Sequence, residues 1–151
     1  MEFIGKIIFL TAFGTMIISQ ILKMVVISIK EGKFHPEAVL EIAGMPSSHT
    51  ATITSLTLGI YFAEGFSSLF AFSLISLVYV IDEVLEIERS VGHHSKIINQ
   101  ILVIFNSLKN RPKNKHKLFL GRLRESWGHT DWEVVFGFLL GLFTTYIVHI
   151  L

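Results

Sequence analysis

The sequence predicts an all-α fold, an integral membrane helical bundle with about four transmembrane helices and an amphipathic extension of the third. Three observations predict it. Hydrophobic residues make up 51% of the 151-residue chain, and the mean hydropathy is +0.59, well above what a soluble domain of this size needs. Charged residues, 17% of the total, are clustered instead of being spread over a surface. Four stretches are nearly free of charge: residues 7–29, interrupted only by Gln20 and Lys23; residues 50–63; residues 65–81; and residues 134–151, interrupted only by His149.

A hydrocarbon core about 30 Å thick asks for ~20 apolar helical residues. The first, third and fourth stretches meet that demand. The second falls short unless its helix begins at Ser47-Ser48. Short helices are tolerated where they line a protein-buried or watery cavity, so this shortness points towards a site. The first helix is placed at about 4–30; it runs too long for a signal peptide and lacks a small-residue cleavage site followed by a polar domain. A linker at 31–46 leads to the second helix at 47–62, and a tight turn at Ala63–Phe66 to the third, from about 67. Beyond Asp82, residues Val84, Ile87, Val91, Ile98, Ile101, Leu102 and Phe105 recur at helical spacing, with Glu83, Glu86, Arg89 and Lys96 between them. That pattern suits a helix lying on the membrane or packing against the others. Asn106 to Lys117 is basic and contains Pro112, and a flexible loop is expected at about 106–121. The fourth helix occupies about 131–150. One domain spans 1–151. With no cysteine, there is neither a disulfide framework nor thiolate chemistry, and the redox compartment is left open.

Four crossings put the 31–46 linker and the 82–130 region on one side, and both termini with the 63–66 turn on the other. Of thirteen Lys and Arg residues, all but Lys6 belong to the first side or to the end of the first helix that approaches it. The positive-inside rule makes that side cytoplasmic and both termini external, in a multi-pass protein of the cell membrane. The same count gathers His49, His129, Lys23, Lys30, Asp82 and Arg89 on the cytoplasmic face.

Two motifs there carry chemistry. In Met45-Pro46-Ser47-Ser48-His49-Thr50, a helix start supplies free backbone N–H groups and hydroxyls, an anion site. A His there, with an ordinary pKa of about 6.5, is able to protonate a leaving oxygen. In Gly128-His129-Thr130-Asp131-Trp132-Glu133, a helix starting at His129 would set the Glu133 carboxylate beside the imidazole. A carboxylate on one ring nitrogen leaves the other nucleophilic. Pro, Ser and acidic residues are also ordinary helix starters, so on local grounds alone a structural reading stands beside the catalytic one. The adjacent His93 and His94 point to different sides of a helix and have no carboxylate at ligand spacing, so no metal site is expected. Lys109–Lys117 suits anionic lipid, at ~1 kcal/mol per basic residue near the surface, and the four apolar helices argue against a nucleic-acid partner.

Taken together, Gly-Met-Pro-Ser-Ser-His-Thr-Ala-Thr and Gly-His-Thr-x-x-Glu-Val-x-x-Gly resemble the divergent branch of the type 2 phosphatidic acid phosphatase superfamily, described as related to acid phosphatases and vanadium-dependent haloperoxidases. Supporting matches are Gln20-x-x-Lys23, Glu64-Gly65-Phe66-Ser67-Ser68, Asp82, and Gly92 with Asn99-Gln100 seven residues later. The resemblance implies a membrane lipid phosphatase that hydrolyses a lipid phosphomonoester or pyrophosphate through a phosphohistidine, without metal or other cofactor. It makes His129 the nucleophile, Glu133 its orienting carboxylate, His49 the general acid, and Lys23, Ser47 and Ser48 phosphate ligands.

The chain also departs from the superfamily pattern. The first motif's Arg-Pro is replaced by Lys30-Glu31, and the last motif's Arg by Leu123, flanked by Arg122 and Arg124. Arg124 is the expected substitute, with Arg89 second; the stretch from Asp82 to Gly92 holds one residue more than the branch pattern. A thinned phosphate clamp keeps two alternatives in play. One is a non-catalytic member that binds anionic headgroups or serves as a membrane assembly subunit; the other, less favoured, is a vanadate-dependent haloperoxidase. Expected partners are the lipid phosphate and membrane lipids, and the apolar flank of a four-helix protein leaves room for a homodimer.

Overall fold

The computed structural model describes residues 2–40, 44–109, 123 and 129–151. Arg124 and most of the basic connection expected at 106–121 lie outside them. Helix α1 (Glu2–Glu31) is followed by a short 3-10 turn (Pro36–Leu40), α2 (Ser48–Glu64), α3 (Ser68–Asp82), a π-helical turn (Glu83–Ile87), α4 (Glu88–Lys109) and α5 (Asp131–Ile150). Among the described residues there is no strand, and the chain is an all-α membrane bundle. Three helices are long and apolar enough to cross a bilayer: Phe3–Glu31, the unbroken helix Ser68–Phe105, and Asp131–Ile150.

Helix α2 is the short one, at 17 residues, and it is the centre of the bundle, packed on by α1, α3 and α5. Its position explains its composition. In a bilayer every polar group must be satisfied within the protein, and the buried Thr50, Ser55 and Thr57 of α2 face other helices, not lipid. Thr57 Oγ1 donates to the Ser73 carbonyl of α3 at 3.2 Å. The lipid-compatible side chains belong to the outer helices, where Phe9, Phe13, Phe72 and Phe143 are exposed.

The α2–α5 seam is made by small residues at fourfold spacing. Gly137 and Gly141 lie so close to α2 that a Cβ at either would sit 2.5 Å from a backbone oxygen, that of Ser47 or that of Ala51. Close backbone approach of this kind is how helices gain dispersion energy in lipid, where no hydrophobic drive exists. One turn further, Thr145 Oγ1 donates to Ser55 Oγ at 2.8 Å. Thr15 of α1 reaches both Ser55 Oγ, at 3.2 Å, and Thr144 Oγ1, at 2.7 Å. The three helices are thereby joined at one level by a hydroxyl cluster.

Local chemistry sets the ends. Ser47 caps α2 and Ser67 caps α3, each accepting from the backbone N–H three residues on. Thr130 caps α5 in a capping box with Glu133. Gly65, at φ +64°, takes the positive-φ conformation that ends α2, and its N–H bonds to the Tyr61 carbonyl at 2.8 Å.

Candidate active site

Two backbone contacts bring the His-bearing motifs together. The Ser47 N–H donates to the Glu133 carbonyl at 2.9 Å, and Gly137 lets α5 lie directly on Ser47. The rings of His49 and His129 then face each other edge to face, with centroids 6.2 Å apart. They differ sharply in environment: His129 is 1% exposed, whereas the His49 side chain is 52% exposed.

The carboxylate at His129 is Glu88. His129 Nδ1 lies 2.8 Å from Glu88 Oε2, so the N–H at Nδ1 donates to the carboxylate and Nε2 keeps its lone pair. Nε2 is buried and has no hydrogen-bond partner among the described residues. The other oxygen of Glu88 lies 3.8 Å from His49 Nδ1, an electrostatic contact too long for a hydrogen bond. Burial pushes the His129 imidazole below its ordinary pKa of 6.5; the Glu88 hydrogen bond and charge, and the charge of Glu133, oppose that shift, while Lys23 reinforces it. The result is a neutral ring near pH 7.

Glu133 does not take the place expected from its spacing. Helix α5 begins at Asp131, so His129 lies outside the helix and the i,i+4 geometry does not hold for the pair. The Glu133 carboxylate accepts from the Thr130 N–H at 3.0 Å instead. The motif spacings do not single out Glu88. It is delivered by the π-turn, whose wide ring is closed by the Glu88 N–H on the Glu83 carbonyl. A π-turn is an α-helix carrying one extra residue, which turns the side chains beyond it to a new face. A signal was available: Glu88, Gly92, Ser95 and Asn99 form one small or polar stripe, and the last three are buried.

The other expected residues fall in two groups. Lys23, Ser47 and Ser48 are all buried, and Lys23 is near enough to His129 to influence its charge. Gly44, at φ +127°, makes space for the Lys23 stem: a Cβ there would lie 3.1 Å from Lys23 Cγ. Ser48 Oγ accepts from Gln20 Nε2 at 3.3 Å, which leaves its own proton to donate. Arg89 is differently engaged: its Nη2 donates to the His129 carbonyl at 3.1 Å and to Asp131 Oδ1 at 2.7 Å. It therefore braces the backbone that carries His129. Arg124 lies outside the described residues. Asn99 pins the backbone of Leu123, donating to its carbonyl at 2.8 Å and accepting from its N–H at 2.9 Å.

Beside these residues lies an apolar groove of about 780 Å³, whose walls include Leu22 and Val26 of α1, Phe136 and Tyr146 of α5, and Met45 and Pro46. It therefore starts at the residues that lead into Ser47, Ser48 and His49.

The chain matches the model of the family described as "Divergent PAP2 family" over residues 4–144. It is 32% identical over 153 residues to the "Uncharacterized membrane protein YuiD" of Bacillus subtilis (strain 168), covering 98% of this chain and 97% of that relative. No solved structure matches it. The two motifs and the family match agree, and the chain belongs to the divergent PAP2 family.

Proposed function

We propose that the protein is a membrane lipid phosphatase that hydrolyses a lipid phosphomonoester or pyrophosphate through a phosphohistidine, with its site on the cytoplasmic face and both termini outside. The observation that carries this reading is the state of His129: Nδ1 held by a carboxylate, and Nε2 buried, without a described partner and next to a second histidine. A buried polar atom left unpaired costs stability, and a substrate phosphorus is the kind of partner that gives it a use.

In the first step His129 Nε2 attacks phosphorus, the P–O bond to the lipid breaks, and His49 gives its proton to the departing oxygen. In the second, water attacks the phosphohistidine, His49 takes a proton from that water, the P–N bond breaks and phosphate leaves. Glu88 holds the productive tautomer and stabilises the positive charge that His129 acquires on attack. Lys23, Ser48 and the α2 N-terminus at Ser47 are the proposed phosphate ligands, joined by Arg124. Arg89 acts as a positioning residue through the His129 carbonyl. The groove between α1 and α5 suits the lipid tail, because it is apolar along its length and ends at Pro46. The charge bias of the chain supports the orientation.

The test is phosphate release by purified protein from a panel of lipid phosphates. Wild type is expected to release phosphate, His129→Ala to release none, and His49→Ala to lose ~10²–10⁴-fold in rate. No release from any substrate by folded protein overturns the reading.

One observation favours a second reading, a non-catalytic member that binds anionic headgroups. Arg89, the one arginine among the described residues, is engaged by Asp131 and the His129 carbonyl and not by the pocket. Phosphate or vanadate binding that requires Lys23, with no turnover, would select it.

A further inference from the structure

We propose that α4 is a dimerisation arm, pairing in parallel with the α4 of a second copy of this chain outside the bilayer. The unbroken helix that begins at Ser68 rises ~30 Å by Ile87, at ~1.5 Å per residue, which is the thickness of the hydrocarbon core. The 22 residues of α4 then continue for ~33 Å, beyond the depth at which lipid tails could cover them. Apart from the π-turn at its base, no described helix packs extensively on α4. Its polar stripe of Glu88, Gly92, Ser95 and Asn99 turns inwards to His129 and Leu123.

The other side is apolar and open. Ile87, Val91, Ile97, Ile98 and Ile101 are each 39–60% exposed. Ile87, Val91, His94, Ile98 and Ile101 follow one another at spacings of four, three, four and three, the alternation of a coiled-coil seam. Their exposed apolar surface is roughly 400 Å² per copy; at the ~65% non-polar share of homodimer interfaces it implies a patch of ~600 Å², close to the ~800 Å² per partner of a standard interface.

The membrane decides the geometry of the pair. Two copies inserted in the same sense send their α4 helices out on the same side, so a two-fold axis along the membrane normal sets them parallel and in register. His94 is the one polar residue in the seam, and a lone polar residue at a core position fixes register.

The absence of cysteine makes the test direct. Single-cysteine variants Ile98→Cys and Ile101→Cys on the seam, and Gln100→Cys on the opposite side, are oxidised in native membranes. Facing seam positions in a parallel pair lie within the ~4.4–6.8 Å Cα separation of a disulfide. The expected result is a band of twice the chain mass for both seam variants and little for Gln100→Cys. Equal bands at all three sites, or none on the seam, overturn the proposal; the latter is the outcome for an arm lying on lipid or covered by its own chain. A second measurement is independent of cysteine: the full chain in detergent should have the mass of two copies, and Ile98→Glu with Ile101→Glu the mass of one. A wild type already of single mass overturns it as well.

Discussion

Along the first half of α2, Ser47, Ala51 and Ser55 lie against Gly137, Gly141 and Thr145 of α5; at the N-terminal ends of the same two helices, His129 and His49 flank Glu88. The first region is tightly packed: Ser55 Oγ takes bonds from Thr15 and Thr145, and the glycines leave no gap, although the Thr54 hydroxyl beside Gly141 is buried without a described partner. The second is left incomplete, because His129 is as buried as the seam residues yet its Nε2 has no described partner. The difference separates packing from chemistry. Buried polar atoms in membrane helices are normally paired; a hydroxyl such as that of Thr54 is able to turn its proton to a carbonyl of its own helix, whereas the lone pair of His129 Nε2 calls for a partner from outside.

The largest way to break the comparison is Glu88→Gln, which keeps the shape and removes the charge that orients His129. A fall in kcat of ~10²–10⁴ is expected, by analogy with loss of the carboxylate from a catalytic triad, with the helical content unchanged. The pH profile carries a sign. Burial holds His129 below 6.5, so the ring stays neutral, and nucleophilic, as pH falls through 6.5; the acid limb of activity lies below that value. Glu88 opposes the depression, so Glu88→Gln should move the limb lower still. A limb that rises on this substitution would show that Glu88 does not raise the proton affinity of the ring.

On the seam, Gly141→Ala is the corresponding break. The new methyl would meet the Ala51 carbonyl at 2.5 Å, Thr54 Cβ at 2.8 Å and the Ser55 nitrogen at 3.1 Å. Two of these are backbone atoms and cannot swing aside, so the helices must part. Overpacking of this kind costs ~1–3 kcal/mol, read as a lower thermal midpoint in detergent. An unchanged midpoint would mean that α5 does not lie on α2 at this level.

These two sites also divide what was legible in the sequence from what was not. The apolar stretches announce the outer helices because those face lipid, and Ser47 and Thr130 announce their helices because caps are local chemistry. Helix α2 reads weakly because its neighbours are other helices. Glu88 stayed hidden because its partner lies 41 residues away and its direction depends on a π-turn, which apolar spacing does not reveal. The pairing of His129 with Glu133 needs a helix that starts at His129, two residues before α5 begins. Gly137 and Gly141, four apart, belong to the seam.

Ser55→Ala probes the hydroxyl cluster, and its effect should be smaller than that of the glycine. Thr15 retains Thr144 and Thr145 retains the Gly141 carbonyl, so neither donor is stranded. Interhelical hydrogen bonds in membranes average ~0.6 kcal/mol, and the midpoint should fall by that order, with phosphate release unaffected. A loss as large as that of Gly141→Ala would make hydrogen bonding, not close approach, the main force of the seam.

The smallest expected effect is at Glu133, where Glu133→Gln separates the carboxylate that caps α5 from the one that serves His129. The amide oxygen of Gln still accepts from the Thr130 N–H, so the capping box persists. What is lost is a negative charge at a helix N-terminus, worth ~0.3–1 kcal/mol of stability. Glu133 also raises the proton affinity of His129, but after the hydrogen bond and charge of Glu88. Its removal should therefore lower the acid limb by less than Glu88→Gln does, and leave the rate near pH 7 within about fivefold, the rate equivalent of the upper end of that energy. Equal losses from the two substitutions would assign the orienting role to both carboxylates. A larger loss at Glu133 would return the role to the residue that the spacing alone suggested, and would mean that the π-turn presents Glu88 to His129 for structural reasons only.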